Sequence, residues 1–179
     1  MNNKRNISII GGAGHVGFPL GLIFSSRGFN VSLIDKNNEN IKKINNGIVP
    51  FLEDGSKSLL KKMLKFKKIK ATENIREIKK SKYIIICIGT PIDSSLNPEL
   101  KNFLNFFRVL KKYINKNQII IIRSSVYPGI CDKVYEILKE KNKNLSYCPE
   151  RIVQGKSIKE LPNISQLVSG KNNKSDQQH

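Results

Sequence analysis

Several classes of protein are excluded by what this chain lacks. Its three cysteines, Cys87, Cys131 and Cys148, are odd in number and far apart, so they suggest neither a disulfide framework nor a metal-ligand spacing, and no metal site is expected. No apolar run approaches the ~20 residues of a membrane span. The run that follows Lys4 and Arg5 stops at Gly11, too short for a signal-peptide core, and a cytoplasmic location is expected. Acidic residues are scarce, 14 against 32 Lys and Arg, which leaves a net charge of +18. Such an excess suits nucleic-acid binding, but the lysines are scattered and dense only from Lys57 to Lys70, with no aromatic side chains interleaved as stacking platforms. A Lys-Asn-Ile bias also follows from an AT-rich coding sequence without any functional demand. No nucleic-acid partner is expected; the positive field instead favours the approach of diphosphate-bearing ligands. There is no internal repeat.

The most informative stretch lies near the start. Residues 7–17 read Ile-Ser-Ile-Ile-Gly-Gly-Ala-Gly-His-Val-Gly, an apolar run that breaks into a glycine-rich turn and enters a helical pattern. Gly12, Gly14 and Gly17 have the G-x-G-x-x-G spacing. In a dinucleotide site the first permits the tight turn, the second lets backbone approach a pyrophosphate, and the third lets helix and strand pack closely. The helix N-terminus adds unpaired N–H groups and a positive dipole end. A second strand-like run, Asn30–Ile34, ends in Asp35, 18 residues after Gly17 and near the ~20 expected for a carboxylate that grips the adenosine ribose. A carboxylate there repels a 2′-phosphate, so NAD is expected over NADP, though Lys36 next to it weakens the preference. Alternatively, Asp35 is a helix N-cap for the stretch that begins near Asn37.

A length of 179 residues suits one domain, with at most the start of a second, and a hydrophobic fraction of 39% allows a real core. Apolar runs alternate with helical patterns. Strands are expected at Asn6–Ile10, Asn30–Ile34, Ile69–Thr72, Tyr83–Ile88, Gln118–Ile122 and Leu145–Cys148. Helices are expected at Val16–Arg27, Asn38–Asn46, Ser56–Phe66, Ile75–Lys79, Pro98–Ile114 and Ile130–Lys141. Runs such as Ile84–Ile86 and Ile119–Ile122 suit strands buried on both faces. The alternation implies an α/β fold: a single Rossmann-like domain with a doubly wound parallel sheet ordered 3-2-1-4-5-6. Ligands then collect at the carboxyl ends of the strands, among the loops at 89–93, 123–129 and 149–151. The domain is expected to span 1–170; residues 171–179 form a polar tail, expected to be disordered, at the start of a truncated linker, and His179 is no ligand. Cys87, inside an isoleucine run, reads as a small core residue, and Cys148 as structural.

The loops carry a family resemblance. The blocks Gly-Gly-Ala-Gly-His-Val-Gly-Phe-Pro-Leu (11–20), Leu-Ile-Asp (33–35), Ile-Asn-Asn-Gly-Ile-Val-Pro-Phe-Leu-Glu (44–53), Gly-Thr-Pro-Ile-Asp (89–93), Arg-Ser-Ser-Val-Tyr-Pro-Gly (123–129), Cys-Pro-Glu-Arg-Ile (148–152) and Val-Ser-Gly (168–170) follow in order. Together they resemble the N-terminal, NAD-binding domain of the UDP-glucose/GDP-mannose dehydrogenase family, nearest to its bacterial UDP-N-acetyl-D-mannosamine branch. The resemblance implies NAD-dependent, four-electron oxidation of a UDP-sugar C6 alcohol to the uronic acid, for surface polysaccharide precursors. It implies that His15 and Val16 meet the pyrophosphate, Asp35 holds the ribose and Thr90 lines the nicotinamide side. Ser125 stands where the family usually has Thr and would order the attacking water; Glu150 would be the general base of the hydrolytic half. Arg151 and Ile152 would contact the nucleotide sugar. Asn40 departs from the Lys or Arg frequent there.

The family's nucleophilic cysteine, its catalytic lysine and its dimer helix belong to a later domain. None of Cys87, Cys131 and Cys148 stands in the nucleophile's place. A missing C-terminal half, or a homodimer formed through it, is therefore an expected partner beside the nucleotide-sugar substrate. Other readings stay open: a stand-alone or degenerate NAD-binding module without turnover, a basic interaction protein that lost the cofactor, and, locally, a surface ion pair between Glu150 and Arg151 or mere turn chemistry at Ser125 and Thr90.

Overall fold

The computed structural model describes residues 5–89, 100–151 and 155–170. Seven strands form one sheet, with β1 at Asn6–Ile10, β2 at Asn30–Ile34, β3 at Ile69–Thr72, β4 at Tyr83–Ile86, β5 at Ile119–Ile122, β6 at Leu145–Tyr147 and β7 at Ser169–Gly170. Their order is β3-β2-β1-β4-β5-β6-β7. The first six are parallel, in the expected 3-2-1-4-5-6 order; β7 adds an antiparallel edge, pairing Tyr147 with Ser169. Two residues are too few to show a period, which is why β7 has no signature in the sequence.

Right-handed crossovers divide the helices between the two faces. On one face lie α1 (Gly17–Ser26), α2 (Asn38–Asn45), α3 (Ser56–Lys65) and the short α6 (Ser157–Glu160), packed through Phe18, Leu22, Ile44, Leu60 and Leu161 onto Ile7, Ile9 and Leu33. On the other lie a 3₁₀ segment at Ile75–Lys80, α4 (Leu100–Leu110) and α5 (Ile130–Leu138), packed through Ile78, Phe103, Phe107 and Val134 onto Ile84, Ile86, Ile120 and Ile122.

Most expected elements hold to within one or two residues, and the exceptions have local causes. The expected helix at 75–79 is a 3₁₀ segment, because the buried amide of Gln118 takes the carbonyls of Ile78 (2.6 Å) and Ser81 (2.9 Å) and pulls the turn tight. α5 stops at Leu138 rather than Lys141: the side chain of buried Asn142 donates to the carbonyls of Asn115 (2.7 Å) and Gln118 (2.9 Å), which draws the chain off the helix axis. α4 ends at Leu110, four residues short of the expectation, and its expected start at Pro98 lies outside the described residues. β4 closes at Ile86 because its neighbour β1 has already turned away at Gly11 (φ 76°). Among the described residues no helix is long and apolar enough to cross a membrane, and no three His, Cys, Asp or Glu side chains are grouped as metal ligands.

Candidate functional site

The glycine-rich turn joins β1 to α1 at the carboxyl edge of the sheet, as a Rossmann-type site requires. Its glycines have different jobs from those their spacing alone suggests. The left-handed residue that makes the tight turn is Gly11, not Gly12; a side chain on Gly11 would also stand 2.4 Å from the Cys87 carbonyl oxygen. Gly12 is packed from both sides, since a Cβ there would lie 2.7 Å from the Ile9 carbonyl oxygen and 2.7 Å from the Leu33 Cα. Gly17 keeps the helix close to the turn rather than to a strand: a Cβ would meet the Gly11 carbonyl oxygen at 2.4 Å. Close helix–strand packing is the work of Gly21, whose Cβ would strike Leu33 at 2.5 Å.

Gly14 differs from all of these. A Cβ on it would meet only the Gly11 oxygen, at 3.4 Å, an ordinary contact. Nothing within the protein requires glycine at this position, so the space above it is available to a ligand. Directly after it, α1 opens without a cap: Val16 offers no side-chain acceptor, and the first turn holds no acidic residue. The Phe18 N–H is already taken by the Gly14 carbonyl (3.0 Å), and Pro19, in that first turn, has no N–H to offer. The remaining N–H groups and the dipole end suit an anion, and the residues present therefore fit a dinucleotide pyrophosphate.

Asp35 closes the other side of the turn. Its Oδ2 accepts the Ala13 N–H at 2.9 Å and its Oδ1 accepts the Asn37 N–H at 3.0 Å. The carboxylate is thus fixed against the glycine-rich turn, half-buried, with lone pairs left for further donors. It is not the N-cap of α2; Asn37 is, its Oδ1 accepting the Asn40 N–H at 3.0 Å. Asn40 in turn reaches back to the Ala13 carbonyl (3.3 Å). His15 is exposed at the lip, its ring stacked 4.0 Å from that of Phe51. Gly12, Gly14, His15, Val16, Gly17 and Asp35 are therefore brought together.

The second group gathers at the carboxyl ends of β5 and β6. Glu150 does not pair with Arg151. Its Oε2 is gripped by Arg123 through Nε (3.1 Å) and Nη2, and its Oε1 accepts the Arg151 backbone N–H (2.8 Å). Arg151 is exposed and donates to the Ser165 carbonyl instead. Arg123 is nearly sequestered, 6% exposed against 10% for Glu150, and its Nη1 also contacts Cys148 Sγ (3.2 Å) and Gln166 Oε1 (3.0 Å). Ser125 lies exposed on the loop after β5, while its neighbour Ser124 is buried and donates to the Ile88 carbonyl (2.6 Å), tying that loop to the one after β4. Thr90 and Ile152 lie outside the described residues.

The three thiols are poorly suited to nucleophilic work. Burial pushes Cys87 up to about 12 and Cys131 to about 11, and raises Cys148 despite the nearby Arg123 guanidinium. Arg123, Gly11 and Gly21 are the residues that spacing rules did not reach. A signal for Arg123 was present: a charged residue directly after four isoleucines of a central strand requires a buried counter-charge.

The family model for the UDP-glucose/GDP-mannose dehydrogenase family, NAD binding domain, matches residues 5–179. A UDP-N-acetyl-D-mannosamine dehydrogenase of Pyrococcus horikoshii is 30% identical over 166 residues, which are 89% of this chain and 40% of that protein. A UDP-glucose 6-dehydrogenase of Rickettsia felis is 32% identical over 177 residues, 97% of this chain and 39% of that one. The solved structure of the Pyrococcus horikoshii UDP-D-ManNAc dehydrogenase superposes with a TM-score of 0.85 at 28% identity, covering 95% of this chain and 42% of its own. The chain thus spans about 40% of the length of the curated relatives it matches.

Proposed function

Since the chain belongs to the UDP-glucose/GDP-mannose dehydrogenase family, as its NAD-binding domain with NAD as cofactor, we propose that it is the cofactor-binding part of a nucleotide-sugar 6-dehydrogenase. The substrate proposed is UDP-N-acetyl-D-mannosamine, oxidised at C6 to the uronic acid for surface polysaccharide precursors; the name of the Pyrococcus horikoshii relative supports this sugar. The observation that carries the reading is the open space above Gly14 beside an uncapped helix start, with the Asp35 carboxylate held against the same turn.

NAD, when bound, supplies the hydride acceptor. The backbone at Gly14, His15, Val16 and Gly17 receives the pyrophosphate, Gly12, its N–H spent on the Ile34 carbonyl, shapes the turn beneath it, and Asp35 accepts the ribose hydroxyls on lone pairs not used by Ala13 and Asn37. Oxidation to an acid passes through an aldehyde and consumes one water, which cleaves an acid-level thioester and releases the thiolate that held it. Glu150 takes the proton of that water, and Arg123 fixes the carboxylate's orientation while it does so. Ser125 orders the water, Thr90 lines the nicotinamide side, and Arg151 and Ile152 bind the sugar nucleotide; a guanidinium suits a diphosphate through its fork of donors. The covalent step needs a thiolate from a C-terminal half, which is the proposed partner.

The second reading is an NAD-binding module without turnover; the chain spans only about 40% of the relatives it matches. Calorimetry with NAD and NADP tests the cofactor site: tight NAD and weak NADP binding is expected, and no heat with either removes both readings. Mixing with a candidate C-terminal half and either UDP-N-acetyl-D-mannosamine or UDP-glucose, while following NADH absorbance, separates the two and chooses the sugar. Glu150→Gln should stall that reconstituted reaction and leave NAD affinity intact.

A further inference from the structure

The loop between α2 and α3 touches the glycine-rich half of the candidate site and, at its other end, the segment 155–158. At one end Phe51 stacks on His15 and meets Phe18 edge-on, with ring centroids 5.6 Å apart. Two residues later Glu53 is only 5% exposed, and its carboxylate points away from the turn toward the start of α6. There it accepts the Ile158 N–H and the Ser157 hydroxyl, each at 3.1 Å. The Asp54 N–H donates to the Gly155 carbonyl at 3.0 Å, which doubles the attachment. α6 has no cap of its own, since Lys156 offers no side-chain acceptor; its cap comes from a residue more than 100 positions earlier. Ile158 and Leu161 then pack in the same core as Phe18 and Leu22 of α1, the helix that starts at the glycine-rich turn.

A carboxylate removed from water must keep its donors. Segment 155–158 therefore cannot leave without stranding Glu53, and the loop cannot leave without uncapping α6. We propose that Glu53 is a positioning residue for the nucleotide-sugar side of the site: through Phe51 and Glu53, cofactor bound at Gly14 and His15 fixes the segment that continues from Glu150 and Arg151. The inference rests on the cofactor reading given above. A ligand at the turn restrains His15, the stacked Phe51 follows, and Glu53, on the same short loop, holds α6 in register.

Hydrogen–deuterium exchange on the full chain, with and without NAD, tests this. In the unmodified chain NAD should slow exchange both at 11–17 and at 155–161. In Glu53→Ala, exchange at 155–161 should rise at least tenfold and cease to respond to NAD, while 11–17 remains protected. Glu53→Gln, which keeps an acceptor oxygen, should restore most of the response. A purely structural cap would speed exchange but leave the NAD response in place, so a retained response in Glu53→Ala overturns the proposal, as does unchanged exchange. Protection at 11–17 without protection at 155–161 in the unmodified chain overturns the coupling alone. No protection at 11–17 overturns the cofactor reading, and the coupling with it. Should Glu53→Ala fail to fold, Ser157→Ala removes one donor from the same carboxylate and is read in the same way.

Discussion

Gly14 and Gly17 belong to one motif, yet alanine should act on them in opposite ways. At Gly17 the new methyl carbon would stand 2.4 Å from the Gly11 carbonyl oxygen and 2.8 Å from the Gly12 Cα, both backbone atoms that cannot swing aside. Forcing a methyl into such a site costs about 1–3 kcal/mol, which in a domain of this size lowers Tm by roughly 2–12 °C. At Gly14 the methyl makes one ordinary contact at 3.4 Å, and the backbone there is not left-handed. Alanine should therefore leave stability unchanged or raise it by up to ~1 kcal/mol through the unfolded chain. Its effect falls on the ligand. A methyl between the turn and a pyrophosphate displaces charge-assisted hydrogen bonds worth about 1.5–3 kcal/mol each, so NAD affinity should fall roughly 10–150-fold. Thermal melts and calorimetry with NAD on the two variants separate the effects. If Gly14→Ala binds NAD as tightly as the unmodified chain, or loses as much Tm as Gly17→Ala, the assignment of Gly14 to the ligand is wrong.

The other predictions concern charge and thiols. Arg123→Leu leaves Glu150 buried without its cation and should cost about 3–5 kcal/mol in urea unfolding, whereas the double variant Arg123→Leu/Glu150→Leu should recover most of that; a double variant no more stable than the single one would refute the pairing. Asp35→Ala should weaken NAD and, by freeing the Ala13 N–H, loosen the turn, seen as a local rise in exchange at 11–17; unchanged affinity would remove it from the ribose. Below pH 9 the Cys87 thiol, pushed up to about 12 by burial, should alkylate two to three orders of magnitude more slowly in the folded chain than in the unfolded one, and its rate should still be rising with pH where an ordinary thiol has levelled off. Equal rates for folded and unfolded chain at pH 8 would contradict the raised pKa of this half-buried thiol.

What was legible in the sequence followed what is periodic or local. The runs Ile84–Ile86 and Ile119–Ile122 announced central strands, and the glycine spacing with Asp35 announced the turn, because each signal lies within one βαβ unit. The pairings that finish the site are not local. Glu150 meets Arg123 at a separation of 27 residues, and Glu53 meets Ile158 at 105, distances across which neither period nor propensity carries information. One reading from the pattern was too simple. Ile119–Ile122 suggested burial on both faces, but Ile121 is only partly covered while Ile120 and Ile122 are fully buried.

The cause is the handedness of the chain. Right-handed crossovers place α4 and α5 over one face of β4–β6, whereas α1 and α3 lie over β1–β3 on the other. Over the α1 side of β4 and β5 this leaves a cavity of about 540 Å³, walled by Phe24, Phe29, Tyr83 and Ile121, with Arg123 and Cys148 in its lining. The same asymmetry explains why an arginine is tolerated after four isoleucines. After Ile122, which packs beneath α4 and α5, the chain reaches the carboxyl edge of the sheet, and the next side chain falls on the thinly covered face, where it turns toward Glu150 and Gln166 instead of into a packed core. Position in the crossover pattern, more than the local residue run, therefore decides which end of an apolar strand can carry a charge.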